Sequence, residues 1–227
     1  MPNVPQRTVD SLFNPKKARK TYDSLSGIYD YLTAYEGGAK ERGLELVDVK
    51  PGQTLLEVGF GTGTMLCEIA RKIGDQGCAI GIDISIKMLC RALQSLSRGG
   101  LSSFAALTVA DASHLPFRYD FFDAIFSSYV LDLMAAREIS LTLGEFHRVI
   151  RPGGRVVLVS LSKGKNWYSN MKLYEWLYRQ SHSLLGGCRP LLLEGCVKDA
   201  GFTNIKREFL MAGHLMPSEI ISCEKSC

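Results

Sequence analysis

Short apolar runs alternate with amphipathic stretches over most of the chain, and this alternation limits the folds that the sequence can adopt. The apolar runs cover residues 54–58, 78–82, 104–110, 123–127 and 155–161. Apolar residues fill these runs without a regular polar alternation, which is typical of strands buried on both faces of a parallel sheet. The amphipathic stretches between them predict helices that make right-handed crossovers. The pattern therefore predicts an α/β fold with a doubly wound sheet.

The C-terminal part of the chain departs from this alternation. Two runs, 201–210 and 219–223, are separated by eight residues, which is too short for a helical crossover. We therefore predict a Rossmann-like, mostly parallel sheet of seven strands that ends in an antiparallel hairpin. The whole chain, 1–227, is expected to form one domain, with an N-terminal helical extension over 1–50 and an aromatic-rich insertion over 162–187.

Two local features define the predicted helices more closely. Ser85 is a good N-cap for the helix after the second run. The apolar face of that helix is predicted from helical spacing to contain Ile86, Leu89, Cys90, Leu93 and Leu96. A later helix is expected to continue its apolar stripe to Ile150, after which residues 152–154 (PGG) turn the chain into the fifth strand.

Charge and composition exclude several classes of protein. The net charge is +4, and one basic cluster lies near the start, at 16–20. A solvated helix face is the favoured interpretation of this cluster, and contact with an anionic surface such as lipid headgroups is the alternative. The sequence shows no basic stripe interleaved with aromatic residues, so we expect no nucleic-acid partner.

The cysteines and the apolar runs indicate the compartment. The seven cysteines form no CxxC pair, so no metal site is predicted, and a reducing cytoplasm suits them best. No apolar run approaches the roughly 20 residues that a membrane span needs. We expect a cytoplasmic protein whose contact with a membrane, if it has one, is peripheral; the sequence does not indicate an oligomeric state.

A glycine loop follows the first apolar run. Gly59, Gly61 and Gly63 lie between a predicted strand and a predicted helix, and the acidic Glu57 precedes them. Glycines at such a turn allow backbone N–H groups to approach a ligand closely. The pattern is GxGxG, whereas dinucleotide-binding proteins carry GxGxxG. We predict a cofactor-binding loop; a purely structural turn is the alternative.

Two aspartates end the next two runs, at the same predicted edge of the sheet. Asp83, followed by Ile84, can accept hydrogen bonds from both hydroxyls of a ribose, and a helix cap is the alternative role. Asp111 can accept the exocyclic amine of adenine beside the backbone N–H of Ala112, and a solvated loop position is the alternative. Together with the glycine loop, they predict a site for an adenosine-containing cofactor. We also assign Ser127, at the end of the fourth run, to this site.

The order and spacing of five segments resemble those of class I methyltransferases that depend on S-adenosylmethionine (SAM). The segments are LLEVGFGTG (55–63), GIDIS (81–85), ADASHLPF (110–117), FDAIFSSYVL (122–131) and RVIRPGGRVVLVS (148–160). The resemblance extends over roughly residues 20–225 and implies that the cofactor is SAM.

Within that superfamily, YDSLSGIYD (22–30) and RVIRPGG resemble the ubiquinone/menaquinone C-methyltransferases and the phospholipid N-methyltransferases. By this resemblance, Tyr22 and Tyr29 lie over the cofactor as part of a lid, with core packing as the alternative. The quinone-type pattern has a His and a Trp after its YD segment, and 33–36 offers neither. It also has an acidic residue where this chain has Ser160.

The predicted acceptor side of the site lies after the fourth strand. Tyr129 is the best candidate for a substrate contact there, and His114 and Tyr29 are further catalytic candidates. A small or lipid-like acceptor is expected: a quinol, a phospholipid amine, a phenol or a thiol. Two rival functions are a non-catalytic SAM-binding regulatory subunit and a nicotinamide-dependent oxidoreductase. The intact glycine loop and acids speak against the first, and the GxGxG pattern and closing hairpin speak against the second.

Overall fold

The computed structural model describes residues 37–162, 190–212 and 216–227. In these residues, one sheet contains the strands β1 (Thr54–Val58), β2 (Cys78–Asp83), β3 (Ala105–Val109), β4 (Phe122–Ser128), β5 (Ile150–Leu161), β6 (Phe202–Ala212) and β7 (Met216–Lys225). Their order across the sheet is β3-β2-β1-β4-β5-β7-β6. Strands β1 to β5 are parallel, and β7 runs antiparallel between β5 and β6. The predicted seven-stranded fold with its C-terminal hairpin is confirmed.

Helices cover both faces of this sheet. They are α1 (Gly37–Val47), α2 (Thr64–Ile73), α3 (Ile86–Arg98), α4 (Ala136–Val149) and α5 (Glu194–Asp199), with a short 3-10 turn at Leu131–Leu133. Buried side chains of α1, α2 and α3 join one apolar cluster, and those of α4 and α5 join a second. The central strands explain why both clusters form: Leu55 and Leu56 are successive residues of β1, and each is buried in a different cluster. An apolar run without alternation is what such a doubly covered strand requires.

Helix α3 packs through a different face from the one predicted. Its buried side chains are Met88, Ala92 and Leu96, whereas Ile86, Cys90 and Leu93 are exposed. The prediction was therefore wrong for those three exposed residues. Helical spacing allowed either face, and close packing of the helix against the start of α2 selected the one with the small Ala92. The predicted cap is confirmed, since the backbone N–H of Met88 donates to Ser85 Oγ at 3.2 Å.

The boundary between α4 and β5 also differs from the prediction. The helix ends at Val149 and the strand begins at Ile150, so Ile150 does not continue the helical stripe. Residues 152–154 lie within β5, where the pairing with β4 shifts register between Phe122 and Ala124. The extra residues form an irregularity inside the strand and not a separate turn before it, because the pairing with β4 resumes at Arg155.

Several predictions fall on residues outside the described ranges. These include the basic cluster at 16–20, the lid residues Tyr22 and Tyr29, and the insertion beyond Ser162. Helix α1 is the described part of the predicted N-terminal extension. The single-domain organisation stays a prediction. No helix in the described part of the chain is long and apolar enough to cross a membrane.

Candidate functional site

One cleft opens where the carboxyl ends of β1 to β4 meet. The empty space within it is about 710 Å³, which includes the part that is open to solvent. The cleft lies at the switch point of the strand order, between β1 and β4, where open α/β sheets bind their ligands. Seven of the predicted site residues line it: Gly59, Gly61, Asp83, Ile84, Asp111, Ala112 and Tyr129.

The first two glycines of the loop form the wall of the cleft. Gly59 and Gly61 have φ angles of 76° and 54°, a backbone conformation that strongly favours glycine. A Cβ at Gly59 would lie only 2.2 Å from Val130 Cγ2. The Gly59 N–H also donates to the carbonyl oxygen of Ile82 at 2.8 Å, which holds the loop against β2. The absence of side chains therefore keeps backbone at the cleft surface.

Gly63 has different surroundings. It is not among the residues that line the cleft, and its φ angle is 83°. A Cβ at this position would lie 2.8 Å from Ala92 Cβ and 2.9 Å from Ala92 Cα. The structure thus places Gly63 against α3, at the point where α2 begins.

Asp83 stands at the end of β2 with its carboxylate oriented by backbone. One oxygen accepts the N–H of Gly61 at 3.0 Å, and the other accepts the N–H of Ser85 at 2.9 Å. Both donors are main-chain N–H groups, so these two bonds fix the direction of the carboxylate. Asp83 therefore links the glycine loop to the start of α3 while it lines the cleft.

Asp111 and Ala112 line the cleft from the end of β3, but His114 does not. The carboxylate of Asp111 accepts both the N–H of Ser113, at 2.9 Å, and its hydroxyl, at 2.8 Å. His114 is exposed, and its Nδ1 lies 2.9 Å from the Ser113 hydroxyl. The short loop thus keeps Asp111 at the cleft and directs His114 towards solvent.

Glu57 lies beneath the loop and is almost completely buried. Burial raises the pKa of its carboxyl well above the usual range; the positive charge of Lys40 lowers that pKa, and the negative charge of Asp83 raises it further. Among the described residues, its Oε2 has no hydrogen-bond partner. A buried acceptor without a partner fits a ligand that brings a donor, above all a cationic one. Ser127 is also buried, and its hydroxyl donates to the carbonyl oxygen of Val58 at 3.3 Å.

Tyr129 lines the cleft in a constrained conformation. Its φ angle is 56°, which is uncommon for a residue with a side chain, and its side chain is buried. Its hydroxyl lies 2.6 Å from Ser218 Oγ on β7, and Lys40 Nζ lies 5.6 Å from its ring centroid. The hydroxyl is therefore held by the sheet, and Tyr129 has a fixed position in the lining of the cleft.

The apolar part of the cleft was not identified from the sequence. Val130, Leu133 and Met134 line it after β4, and Met88 lines it from α3. For Val130, Leu133 and Met134, the sequence signal that could have identified them is their position after the fourth strand, because residues at a switch point line the ligand site. Asp132 in the same segment is buried and accepts the N–H of Leu161 at 2.8 Å, so it connects this segment to β5.

Comparison with known proteins identifies a methyltransferase domain in the chain. A family model described as "Methyltransferase domain" matches residues 55–154, which hold the glycine loop and both cleft aspartates. The chain is also 30% identical, over 163 residues, to a demethylmenaquinone methyltransferase of Desulfitobacterium hafniense, a match that covers 70% of this chain and 63% of the relative. Residues 55–154 thus form a methyltransferase domain, and the relatives support a class I SAM-dependent methyltransferase. This chain spans less than two thirds of the length of the Desulfitobacterium relative.

Two further comparisons extend over more of this methyltransferase. It is 28% identical over 220 residues to a ubiquinone/menaquinone biosynthesis C-methyltransferase, UbiE, of Vibrio campbellii, which covers 87% of this chain and 84% of the relative. The crystal structure of the cyclase SpnF superposes with a TM-score of 0.74 at 18% identity and covers 96% of this chain and 99% of that one. A protein named as a cyclase shares the fold, so the fold by itself does not determine the reaction.

Proposed function

We propose that this methyltransferase transfers a methyl group from SAM to a ring carbon of a lipid-like quinol. The observation that carries the proposal is the apolar wall of the cleft, formed by Val130, Leu133 and Met134 beside Tyr129. An apolar wall next to the cofactor loop suits a flat, weakly polar ring. The names of the two relatives, both methyltransferases of quinone biosynthesis, support the same acceptor class.

The residues of the cleft fit SAM. When bound, SAM supplies a methyl group on a positively charged sulfur. In our proposal, Asp83 accepts hydrogen bonds from the ribose hydroxyls, and Asp111 and Ala112 bind the adenine. The backbone of Gly59 and Gly61 would face the amino-acid portion, and the unpartnered oxygen of Glu57 would accept a hydrogen bond from its ammonium group. An ionised pair of this kind would offset part of the cost of burying the Glu57 carboxylate.

The apolar wall and Tyr129 would act on the acceptor by position. Methyl transfer requires the ring carbon, the methyl carbon and the sulfur in line, so the acceptor ring must be held in one orientation. As the new carbon–carbon bond formed, the sulfur–methyl bond would break, S-adenosylhomocysteine would leave, and the methylated ring carbon would then lose its proton to solvent. Tyr129 suits this role because its hydroxyl is held by Ser218 and its backbone is constrained. Leu133 and Met134 would exclude water from the reacting atoms. We therefore assign Tyr129 a positioning role and not that of a proton acceptor.

The experiment is a transfer assay with isotopically labelled SAM and a panel of acceptors. The panel contains a short-chain quinol that lacks the ring methyl, phosphatidylethanolamine, a simple phenol, a thiol and a small amine. We expect label in the quinol, attached to ring carbon by mass spectrometry and NMR. The variant Asp83→Ala should lose most of this activity, since it removes charge-assisted hydrogen bonds worth roughly 1.5–3 kcal/mol each. Asp75→Ala, an exposed carboxylate outside the cleft, is the matched control and should behave as the parent.

Two results would contradict the proposal. Transfer to an amine or thiol, with none to the quinol, would assign a different acceptor class. Binding of S-adenosylhomocysteine with no transfer to any acceptor would favour the regulatory-subunit alternative.

A further inference from the structure

Two side chains of α4 hold the loop that carries Asp111 and Ala112 into the cleft. Residues 110–121 form neither helix nor strand. At the ends of this loop, the N–H groups of Ala110 and Phe121 donate to backbone carbonyl oxygens of β2 and α4, at 3.1 and 2.7 Å. Within the part of the chain that the structure describes, residues 111–119 make no backbone–backbone hydrogen bond to another element. The middle of the loop therefore depends on side chains for its position.

Glu145 and Arg148 bind the middle of the loop from one turn of α4. Glu145 Oε2 accepts the N–H of Leu115 at 2.7 Å. Arg148 donates to the carbonyl oxygens of Leu115 and Phe117, at 3.0 and 2.7 Å. The guanidinium also donates twice to the Glu145 carboxylate, each time at 2.7 Å. We call this pair the α4 clamp; its hydrogen bonds are charge-assisted, which is the stronger class in proteins.

The α4 clamp is partly shielded from solvent. The side chains of Glu145 and Arg148 are 20% and 21% exposed, and the ring centroid of Tyr119 lies 5.0 Å from the guanidinium carbon. The hydrogen bond from Arg148 is the main reason why the pKa of the Glu145 carboxyl lies below its usual range, so the pair is ionised at neutral pH. Leu115, which both members bind, is buried in the second apolar cluster. Packing and charge therefore fix the loop at the same point.

The clamped residue lies close to the cleft along the chain. Leu115 follows Asp111 by four residues, and the N–H of His114 closes the turn between them by donating to the carbonyl oxygen of Asp111 at 3.0 Å. Both bonds from Ser113 end on Asp111 Oδ1, and no hydrogen bond from the described residues ends on Oδ2. The Asp111 carboxylate is thus part of one hydrogen-bonded turn whose far end is held by the α4 clamp.

We propose that the α4 clamp is a positioning pair that determines the specificity of the cofactor site for adenine. Neither Glu145 nor Arg148 lines the cleft, so the pair acts through Asp111. It holds the Asp111 carboxylate where that group accepts the exocyclic amine of the base. A base with an oxygen in place of the amine sets an acceptor against an acceptor and is rejected. The inference rests on the assignment of Asp111 to adenine in the proposed function.

The test is calorimetric titration of the full chain with two ligands, S-adenosylhomocysteine and S-inosylhomocysteine, in which an oxygen replaces the exocyclic amine. The parent should prefer the adenine ligand roughly tenfold or more, because a site built to bind a donor rejects an analogue without it. Glu145→Ala and Arg148→Ala should each lower this preference by about threefold or more, since a displacement of about 1 Å separates the carboxylate from the amine.

Two further variants keep the test independent of folding. Arg148→Lys retains the charge but not the planar fork that binds two carbonyl oxygens and a carboxylate, so it should also lower the preference. It decides the matter if the alanine variants fail to fold in urea unfolding experiments. The double variant Glu68→Ala/Arg71→Ala is the matched control, because it removes an ion pair of the same spacing from α2, with side chains 46% and 50% exposed. It should keep the parental preference.

The ratio of the two affinities separates positioning from general support of the fold. A merely structural role weakens both ligands alike and leaves the preference unchanged. Folded variants of the α4 clamp that keep the parental preference would therefore overturn the inference.

Asp111→Ala separates this inference from the proposed function, and neither ligand requires a methyl acceptor. Loss of the preference in Asp111→Ala, with its retention in the clamp variants, would contradict the present inference alone. Retention of the preference in Asp111→Ala would contradict the adenine assignment in the proposed function, and the inference with it. Failure to methylate any quinol would leave the measured preference, and so the inference, intact.

Discussion

The three glycines of the glycine loop differ in their surroundings. At Gly59 and Gly61 the backbone borders the cleft, whereas at Gly63 the space is filled by Ala92 of α3. A sequence pattern groups the three because it records only their spacing. The structure separates them, and variants of each glycine can show the difference, because loss of stability and loss of cofactor affinity are measured separately.

We predict that Gly63→Ala mainly lowers the free energy of unfolding. The left-handed conformation costs a residue with a Cβ about 1–2 kcal/mol, and the close contact with Ala92 adds about 1–3 kcal/mol. Gly100→Ala is the control, because Gly100 also has a positive φ angle, 68°, but nothing lies within 4 Å of its added Cβ. The two variants should be compared by urea unfolding, which should show the larger loss for Gly63→Ala. Should the two variants unfold alike while Gly63→Ala alone loses affinity for S-adenosylhomocysteine, Gly63 would belong to the ligand site.

Because Glu57 is buried, the free energy of unfolding depends on the protonation of its carboxyl and so on pH. Because burial raises its pKa in the folded state, the folded protein binds more protons than the unfolded chain above the ordinary glutamate pKa of about 4.3. The free energy of unfolding therefore falls as pH rises from about 4.3 towards the folded-state pKa. Below that window the Glu57 carboxyl is protonated in both states, and its burial as a charged group no longer lowers the free energy of unfolding.

We predict that Glu57→Gln becomes more stable, relative to the parent, as pH rises from about 4 to 7.5. The amide cannot ionise, so burying it does not lower the free energy of unfolding as pH rises. In our proposal the same substitution weakens cofactor binding. Urea unfolding across this range is the measurement, with the exposed Glu41→Gln as control. Parallel pH profiles for parent and Glu57→Gln would show that the Glu57 carboxyl carries no such penalty.

At the scale of elements, helix α1 depends on one close contact with the sheet. A Cβ at Gly43 would lie 2.7 Å from Val159 Cγ2 and 3.0 Å from Phe126 Cε2. On the same helix, Arg42 donates two hydrogen bonds to the Glu208 carboxylate of β6, at 2.8 and 2.9 Å. The contact at Gly43 keeps α1 close enough for Lys40 to lie over the Tyr129 ring. The position of α1 therefore affects the wall of the cleft.

We predict opposite effects for alanine at two helical glycines. Gly144→Ala in α4 should stabilise the protein by about 0.5–1 kcal/mol, because helical glycine is entropically costly and the new Cβ meets nothing within 4 Å. Gly43→Ala should instead destabilise it by about 1–3 kcal/mol, because the new Cβ overpacks Val159 and Phe126. Urea unfolding measures both. Equal stabilisation by the two substitutions would mean that α1 has room to move away from the sheet.

At the scale of the whole molecule, the strand order assembles the site from distant parts of the chain. The glycine loop follows β1, the two aspartates lie at the ends of β2 and β3, and the apolar wall follows β4, which lies next to β1 in the sheet. The hairpin at the far end of the chain completes it, since Ser218 of β7 holds the Tyr129 hydroxyl. A cyclase shares this framework, so the residues at the carboxyl edge, and not the framework, decide the reaction.

The sequence by itself determined the sheet, the hairpin, the cofactor class and seven cleft residues. Each depends on local signals: apolar runs, loop glycines, and acids placed at strand ends. Only the tertiary structure decided which face of α3 is buried, that Gly63 packs against Ala92, and that Tyr129 pairs with Ser218, 89 residues away. The physical reason is that periodicity allows several helix faces and side-chain partners, and the choice among them is made by close packing between segments that are distant in the chain.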